Sequence, residues 1–328
     1  MKRWIHQVKV FFNVLSILLR VFHRKLLGTV SGKTTVVIAI FAHIGDNVAL
    51  EPLSRRMKRE RENAEIIWLT SPSFIPLIKL FPAVDYVFSV VCPSVIGILQ
   101  RLPGFSVLVP DVPGRVCPYC RLPVPTKRIG HEINFDNYYN FGCLYEVFQL
   151  CAGLSPENDA PILKTAVADK SIRYVLIAAG SHEYERQWND IDWQALLNSI
   201  CSQGISVIEI GLKSVAGEFR HDKFDNQCGK KNLAALVHII AGADLFIGVD
   251  SGPAHIANAC RIPAMLLFGN YRNFSNYMPF SGFYAQNPDF FVRHSGALDQ
   301  LPLAKVQEQW EKAYKLHFAA PVDFYSKI

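Results

Sequence analysis

Acidic residues are absent from the first 27 positions of this 328-residue chain, and charged residues are sparse throughout. Only 19% of residues are charged and 50% are hydrophobic, a composition that excludes intrinsic disorder. Six basic residues among positions 1–27 account for the whole net charge of +6. The neutral remainder has no global attraction for nucleic acid, and the length predicts two domains.

The basic leader, residues 1–27, also lacks an apolar run long enough to span a bilayer, because its longest uncharged stretch covers only residues 10–19. No small-residue cleavage site follows, which argues against a signal peptide. Its apolar spacing predicts an amphipathic helix lying peripherally on the anionic, cytoplasmic face of the inner membrane. The alternative is a helix docked on the protein's own core. The apolar face comprises Trp4, Val8, Phe11, Phe12, Leu15, Leu18, Leu19, Phe22 and Leu26.

A secretory signal is lacking, so the eight cysteines are expected to be reduced thiols. Cys117 and Cys120 have the spacing of half a zinc site or of a redox motif. No second Cys or His pair follows at a matching distance in the sequence. We therefore predict no metal site, and the role of these two cysteines stays open.

Apolar runs alternate with amphipathic segments from Thr34 onward, which predicts βαβ units and parallel sheets. The ranges 34–157 and 170–302 each read as a Rossmann-like domain, and 303–328 as a C-terminal helix and tail. Two such domains facing a central cleft would bind ligands at the carboxyl ends of their strands. Residues 110–125, with five prolines, read as an irregular loop. The predicted strands are 36–41, 64–70, 85–91, 106–110, 174–179, 206–210, 245–249 and 264–268.

The segment from Ile247 to His255, IGVDSGPAH, is the most informative motif. Asp250, Ser251 and Gly252 are expected to open the helix that carries His255. The N–H groups of a helix N-terminus, together with the helix dipole, form an anion site that suits a diphosphate. The alternative is that Asp250 or Ser251 merely caps the helix.

Residues 250–259 (DSGPAHIANA), followed by 262–269 (IPAMLLFG), resemble the signature of family-nine glycosyltransferases, the ADP-heptose:lipopolysaccharide heptosyltransferases. Residues 44–53 resemble that family's first loop and 64–69 its second strand. The resemblance covers about residues 34–320. It implies an α/β GT-B fold and inverting, metal-independent transfer of heptose from ADP-heptose onto a lipopolysaccharide core or related lipid-linked glycan. The nucleotide sugar is then a substrate, and no cofactor is expected.

The resemblance also implies residue roles. Asp46, in a predicted loop over 42–47 before a helix through about residue 61, takes the position of the general base. Gly180, Ser181 and Arg186 take positions near the donor phosphates, although a solvated loop with Arg186 paired to Glu183 or Glu185 is the alternative. The donor site as a whole comprises Gly180, Ser181, Arg186, Asp250, Ser251, Gly252 and His255.

A basic cluster formed by Arg55, Arg56 and Arg59 follows Asp46 and could hold a phosphorylated acceptor; the alternative is an ordinary solvated helix face. Relatives carry a Glu where this chain reads GLK at 211–213, and Glu209 could substitute for it. The donor nucleotide is therefore open. One alternative is a transferase that uses another nucleotide sugar for surface polysaccharide, and another is a non-catalytic nucleotide-sugar-binding protein of the same fold.

Overall fold

The chain forms two compact units in a computed structural model. The first unit is Met1–Lys164 with Pro279–Ser281, and the second is Thr165–Met278 with Gly282–Ile328. The structure describes residues 2–26, 34–90, 92–117, 120–126, 132–165, 172–181, 183–272 and 276–319, with side chains at 4–19 in the first helix.

The first unit contains a parallel sheet of four strands with helices between them. Its helices are α1 (Lys2–Leu26), α2 (Ile44–Ala49), α3 (Glu51–Glu60), α4 (Ile75–Ile78), α5 (Ser94–Leu99) and α6 (Leu144–Ala152), and its strands are β1 (Thr35–Ala39), β2 (Glu65–Thr70), β3 (Tyr86–Ser89) and β4 (Phe105–Leu108). The strand order is β3-β2-β1-β4. Every residue of β1 and β2 is buried, as expected where helices cover both faces of a parallel sheet.

The second unit has a parallel sheet of six strands. Its strands are β5 (Tyr174–Ala178), β6 (Ser206–Glu209), β7 (Phe224–Asn226), β8 (Leu245–Val249), β9 (Ala264–Phe268) and β10 (Phe291–Arg293), and its helices are α7 (Asp190–Ser202), α8 (Leu233–Gly242), α9 (Gly252–Ala259) and α10 (Leu303–His317). The order β10-β9-β8-β5-β6-β7 is that of a Rossmann fold. Gly248 is required inside this sheet, because a Cβ there would lie 2.7 Å from the Ala178 oxygen.

Helix α1 has two apolar faces, which the sequence pattern had not separated. Val10, Val14 and Ile17 are buried in a cluster that includes residues of α5, and Asn13 Nδ2 donates to the Ser89 oxygen at 2.9 Å. The docked alternative is therefore confirmed for this face. The opposite face is exposed and contains Trp4, Ile5, Phe11, Phe12, Leu15 and Leu19. Among the helices that the structure describes, none combines the length and apolar character needed to cross a bilayer.

All eight predicted strands are present, with ends shifted by a residue or two. The loop predicted over 42–47 is wrong in part, because α2 already begins at Ile44. The single helix expected to continue to residue 61 is divided into α2 and α3, and Pro52 lies in the first turn of α3. Four elements were missed, namely α5, α6, β7 and β10. Helix α10 packs into the second unit's core through Val306 and Trp310, while residues 320–328 of the predicted tail lie outside the described residues.

Candidate functional site

The predicted donor residues come together at one edge of the second sheet. Strands β5 and β8 are neighbours, and the sheet continues outward from them in opposite chain directions, through β6 and β7 on one side and β9 and β10 on the other. Such a switch point opens a ligand crevice at the carboxyl ends of the two strands. Gly180, Ser181 and Arg186 follow β5, whereas Asp250 and Ser251 follow β8.

Arg186 joins the two loops. Its Nη1 donates to Asp250 Oδ2 at 3.0 Å, and its guanidinium lies 4.8 Å from the centre of the Tyr271 ring. Ser181 Oγ donates to the main-chain oxygen of Asp250 at 3.4 Å. The guanidinium is thus held at the switch point, where its planar shape suits an anion better than a flexible lysine would.

The start of α9 matches the predicted anion site. Ser251 is the N-cap residue, with extended backbone, but its side chain makes no capping hydrogen bond. Its Oγ is buried and has no hydrogen-bond partner among the described residues. The capping alternative is therefore not supported for the Ser251 side chain. Gly252 begins the helix, Pro253 has no N–H, and the Ala254 and His255 N–H groups donate to the Ser251 oxygen at 3.1 and 3.4 Å. The Gly252 N–H and the helix dipole are therefore what this turn offers to an anion.

His255 contributes shape and hydrogen bonding, not charge. Its side chain is 4% exposed, and Nε2 lies 3.9 Å from Asp250 Oδ1. Burial, reinforced by the nearby Arg186 charge, lowers the pKa of His255 to about 3, so the imidazole is neutral at neutral pH. Burial raises the pKa of Asp250, whereas Arg186 acts in the opposite direction.

A small pocket adjoins the Arg186–Asp250 pair. Its floor requires glycine at position 269, because a Cβ there would lie 2.6 Å from the Leu298 nitrogen. The close approach gives a physical reason for the Phe-Gly pair that ends β9. The pocket is lined by Glu185, Arg186, Asp250, Leu267, Phe268, Gly269, Tyr271 and Leu298.

Asp46 lies at the corresponding switch point of the first unit, where β1 is flanked by β2 and β4. It is in the first turn of α2, and the His43 N–H donates to Asp46 Oδ2 at 2.7 Å. Burial raises the pKa of Asp46, while the His43 N–H and the charge of Arg115 lower it and Asp111 raises it. A carboxyl with a raised pKa is better matched to proton abstraction near neutral pH.

Asp111 and Arg115 were not singled out by the sequence reasoning. Arg115 Nε lies 3.0 Å from Asp111 Oδ2, and Asp111 is almost fully buried. The Arg115 guanidinium also lies 5.6 Å from the Phe135 ring centre. Both belong to the predicted irregular loop after β4, and the signal that could have found them is an acidic residue directly after a buried strand.

The basic cluster on α3 has internal partners. Arg55 Nη1 lies 2.9 Å from Asp159 Oδ2, and its Nε lies 3.0 Å from the buried Glu51 carboxylate. Arg56 Nε lies 2.8 Å from Glu157 Oε1, which Arg59 also contacts at 3.4 Å. These pairs connect α3 to residues 155–162 and stabilise the position of that segment against the helix. The acceptor role stays a prediction.

Glu209 is likewise engaged within its own unit. Its Oε1 accepts the Val215 N–H at 2.8 Å, and its Oε2 accepts the Ser214 hydroxyl. The carboxylate is fully buried and shapes the turn after β6. Each oxygen thus already accepts one hydrogen bond, and the substitution of Glu209 for the Glu of relatives stays a prediction.

The fold is similar to that of solved heptosyltransferases. Escherichia coli ADP-heptose LPS heptosyltransferase II superposes with a TM-score of 0.65 over 88% of this chain and 100% of that one, at 16% identity. At that identity the likeness concerns the fold alone. It defines the class as the two-domain α/β GT-B fold, as predicted.

Residues 146–278, less than half of the chain, match the model of glycosyltransferase family 9 (heptosyltransferase). This match confirms the resemblance of the motif at residues 250–269, whereas residues 44–53 and 64–69 lie outside it. Lipopolysaccharide heptosyltransferase 3 of Escherichia coli is 28% identical over 151 residues, 40% of this chain and 44% of that protein. The autotransporter heptosyltransferase Aah of Escherichia coli is 30% identical over 133 residues, 38% of this chain and 34% of that protein. The chain spans less than half the length of these relatives. The matched family region contains every predicted donor residue but not Asp46.

Proposed function

We propose that the chain is an inverting glycosyltransferase that moves heptose from ADP-heptose onto a lipopolysaccharide core or related surface glycan. The observation that carries the proposal is the convergence of Arg186, Asp250 and Ser251 at the switch point of a Rossmann sheet. The matched family region, which contains this convergence, supports it. The names of the relatives supply the sugar class, since each is a heptosyltransferase.

The donor diphosphate would lie across the first turn of α9. Gly252 admits close approach to the backbone, the Ser251 hydroxyl offers an unused donor, and Arg186 supplies positive charge. These groups would stabilise the charge that grows on the departing diphosphate. Neutral His255 would donate or accept a hydrogen bond without adding charge. Gly180 and Ser181 complete the other wall of the crevice.

Asp46 would act as the general base. An acceptor hydroxyl attacks the anomeric carbon effectively only as a base removes its proton. The described contacts of Asp46 use Oδ2, which caps α2 through the His43 N–H, so Oδ1 could accept that proton. Attack opposite the leaving diphosphate in one displacement inverts the configuration of the sugar.

No metal ion is assigned to the transfer step. The charge of the diphosphate would be met by Arg186 and the N-terminus of α9. An Asp-x-Asp triplet does occur at Asp190–Asp192, but these residues open α7. There the Asn189 side chain accepts the Asp192 N–H at 2.9 Å and donates to its carboxylate at 2.7 Å.

Two other functions remain for the same architecture. Because this chain reads GLK at 211–213, where relatives carry a Glu, a different nucleotide-sugar donor stays open. A non-catalytic nucleotide-sugar-binding protein is the other candidate. The acceptor is equally open, because one relative is named for lipopolysaccharide and another for an autotransporter.

Donor identity is tested by thermal shift and calorimetry with ADP, UDP, GDP and their sugars, with EDTA present. Selective stabilisation by ADP or ADP-heptose is expected, because a ligand that binds only the native state raises its stability. Arg186→Met should abolish the shift. Arg173→Met is the matched control, since Arg173 also combines a carboxylate at 3.7 Å, that of Asp244, with an aromatic ring, that of Phe318, but away from the switch point. Selectivity for UDP or GDP would reject the ADP-heptose assignment.

The base is tested with Asp46→Asn. We expect kcat to fall by about 100-fold or more while ADP binding to the second unit is unchanged. Asp85→Asn is the control, because the Asp85 carboxylate also accepts a backbone N–H, that of Ile66 at 2.7 Å, in the same unit. Near-normal turnover of Asp46→Asn contradicts the assignment. Donor binding without turnover by the wild-type chain on any tested acceptor favours the non-catalytic candidate.

A membrane partner is proposed for the exposed apolar face of α1. Phe12 and Leu19 are about 60% exposed, and the leader adds six basic residues, of which the side chains of Lys2, Arg3, Arg20, Arg24 and Lys25 lie outside the described ones. Anionic headgroups attract such a surface. The double variant Phe12→Glu/Leu19→Glu should lose binding to anionic phosphatidylglycerol vesicles. Ile191→Glu, at an exposed apolar residue of α7, should retain it, and retention by both variants would reject the proposal.

A further inference from the structure

Four side chains that bind soft metals meet in the first unit. They are His6 of α1, Cys92 after β3, and Cys117 and Cys120 of the loop after β4. Their ligand atoms all lie within 4.8 Å of one another. The Cys92 sulfur lies 3.5 Å from that of Cys117 and 3.3 Å from that of Cys120. The sequence offered no second ligand pair at a matching distance from the Cys-x-x-Cys pair, whereas the fold brings His6 and Cys92 beside it.

The cluster is enclosed by the unit's own core. Cys92 and Cys117 are buried, His6 and Cys120 are half-buried, and both Cys92 and Cys117 belong to the apolar cluster that α1 covers. His6 lies on the same face of α1 as Val10 and Asn13, which pack against this unit. Three thiols and an imidazole packed together inside an apolar core form a donor set that suits a cation better than it suits water.

We propose that His6, Cys92, Cys117 and Cys120 bind one zinc ion in a closed, tetrahedral structural site. Three thiolates and one imidazole are a common structural zinc set, and Zn–S bonds of about 2.3 Å place tetrahedral sulfurs about 3.8 Å apart. The observed separations of 3.3 and 3.5 Å need to expand by only a few tenths of an ångström. Binding would release the three thiol protons to solvent as the Zn–S bonds form.

The surroundings match those of a metal ligand set. Ser94 Oγ donates to the Cys92 sulfur at 3.1 Å, a contact of the kind that supports a bound thiolate. The Cys117 N–H donates to the Leu122 oxygen at 2.9 Å, and the Arg121 N–H donates to the Cys117 oxygen at 3.0 Å. These bonds hold residues 121 and 122 against Cys117. Arg121 adopts a positive φ of 61° directly after Cys120.

The site would be separate from the transfer chemistry. Four protein ligands fill a tetrahedral zinc ion and leave no position for a substrate. Its effect would be to fasten three segments distant in sequence, namely α1, the start of α5 and the loop after β4. That loop also carries Asp111 and Arg115, which act electrostatically on Asp46. The inference does not depend on the proposed function, because its readout is metal content.

The test is zinc stoichiometry of the full chain, purified without chelator and measured by mass spectrometry of the elements. We expect one zinc per chain. Cys120→Ser, at the half-buried ligand, should weaken zinc retention by more than about tenfold. Cys151→Ser is the matched control, because Cys151 is also buried in the first unit, in α6, but lies outside the cluster. It should keep the full metal content.

Cobalt substitution supplies a second readout that does not require the variant to be stable. Cobalt(II) in a tetrahedral thiolate site absorbs strongly in the visible and gives a sulfur-to-metal charge-transfer band, and both should be present in the wild type and in Cys151→Ser. The proposal would be overturned if the Cys120→Ser chain still bound one zinc ion per chain, as the wild type does. A purified chain without zinc that also fails to take up cobalt, or that holds a Cys117–Cys120 disulfide or iron instead, would overturn it as well.

Discussion

The buried imidazole of His255 predicts a measurable dependence of stability on pH. Burial lowers its pKa from 6.5 to about 3, so the folded state binds this proton less readily than the unfolded state does. The contribution of His255 to stability is therefore fully present above pH 6.5 and is lost as the pH falls from 6.5 towards 3. The full shift corresponds to about 5 kcal/mol, and the part lost by pH 5 to about 2 kcal/mol.

The assay compares His255→Gln with the wild type by urea denaturation at pH 7.5 and pH 5. The half-buried Asp46 and the buried Glu51 and Asp250 have carboxyls with raised pKa values, which increases stability on acidification. The two chains share these groups, so the difference between their slopes isolates His255. His238→Gln is the control, since His238 is exposed on α8.

Between pH 7.5 and pH 5, we expect the free energy of unfolding to fall by about 2 kcal/mol more in the wild type than in His255→Gln. This difference does not depend on the absolute stability of the variant. The His238→Gln chain should follow the wild type. Equal slopes for His255→Gln and the wild type, within about 0.5 kcal/mol, would refute the claim that His255 is buried and neutral. His255 should add no pH dependence to donor affinity near neutral pH, because its imidazole stays uncharged there.

Three further substitutions probe the site and its support. Glu51→Ala should cost about 1–3 kcal/mol in denaturant unfolding, because it removes one of the two carboxylates that Arg55 contacts and leaves the Ile162 N–H without its acceptor; a loss below about 0.5 kcal/mol would contradict the network. Gly269→Ala should cost about 1–3 kcal/mol through overlap with Leu298, and an unchanged midpoint would disprove that contact. Ser251→Ala should leave stability within about 0.5 kcal/mol, since its hydroxyl has no hydrogen-bond partner among the described residues, yet weaken ADP binding by about threefold to tenfold in calorimetry. Unchanged ADP affinity would remove Ser251 from the donor site.

The strands and the donor site could be predicted because their signals are local. Apolar runs such as 245–249 and 264–268 are fully buried strands, and a serine shortly before a proline marks the start of a helix, because serine is a preferred N-cap residue and proline is favoured in the first turn. Ser251 and Gly252 follow such a run, so their place at the N-terminus of α9 could be inferred from the order of the residues alone. The strand order then brings the loops after β5 and β8 together.

The zinc ligands and the pairing of α3 could not be predicted in this way. His6 and Cys92 are far from Cys117 in the sequence, and only the tertiary fold brings them into reach. Arg55 and Arg56 looked like a free basic surface because Glu157 and Asp159 lie a hundred residues further along. The start of α2 was missed because Asp46 caps the helix from within its first turn, through the N–H of His43.

Helix α1 is part of the folded core on one side, so an experiment that deletes it would change folding as well as any binding to a membrane surface. A leader that is only an anchor can be removed, and the rest of the chain then stays folded. Here removal would uncover the apolar residues that Val10, Val14 and Ile17 cover, so a shortened chain would tend to aggregate. The segment therefore cannot be lost or exchanged in evolution as an independent module. Substitutions on its inner face are constrained by packing against the core, and substitutions on its outer face by any surface that it binds.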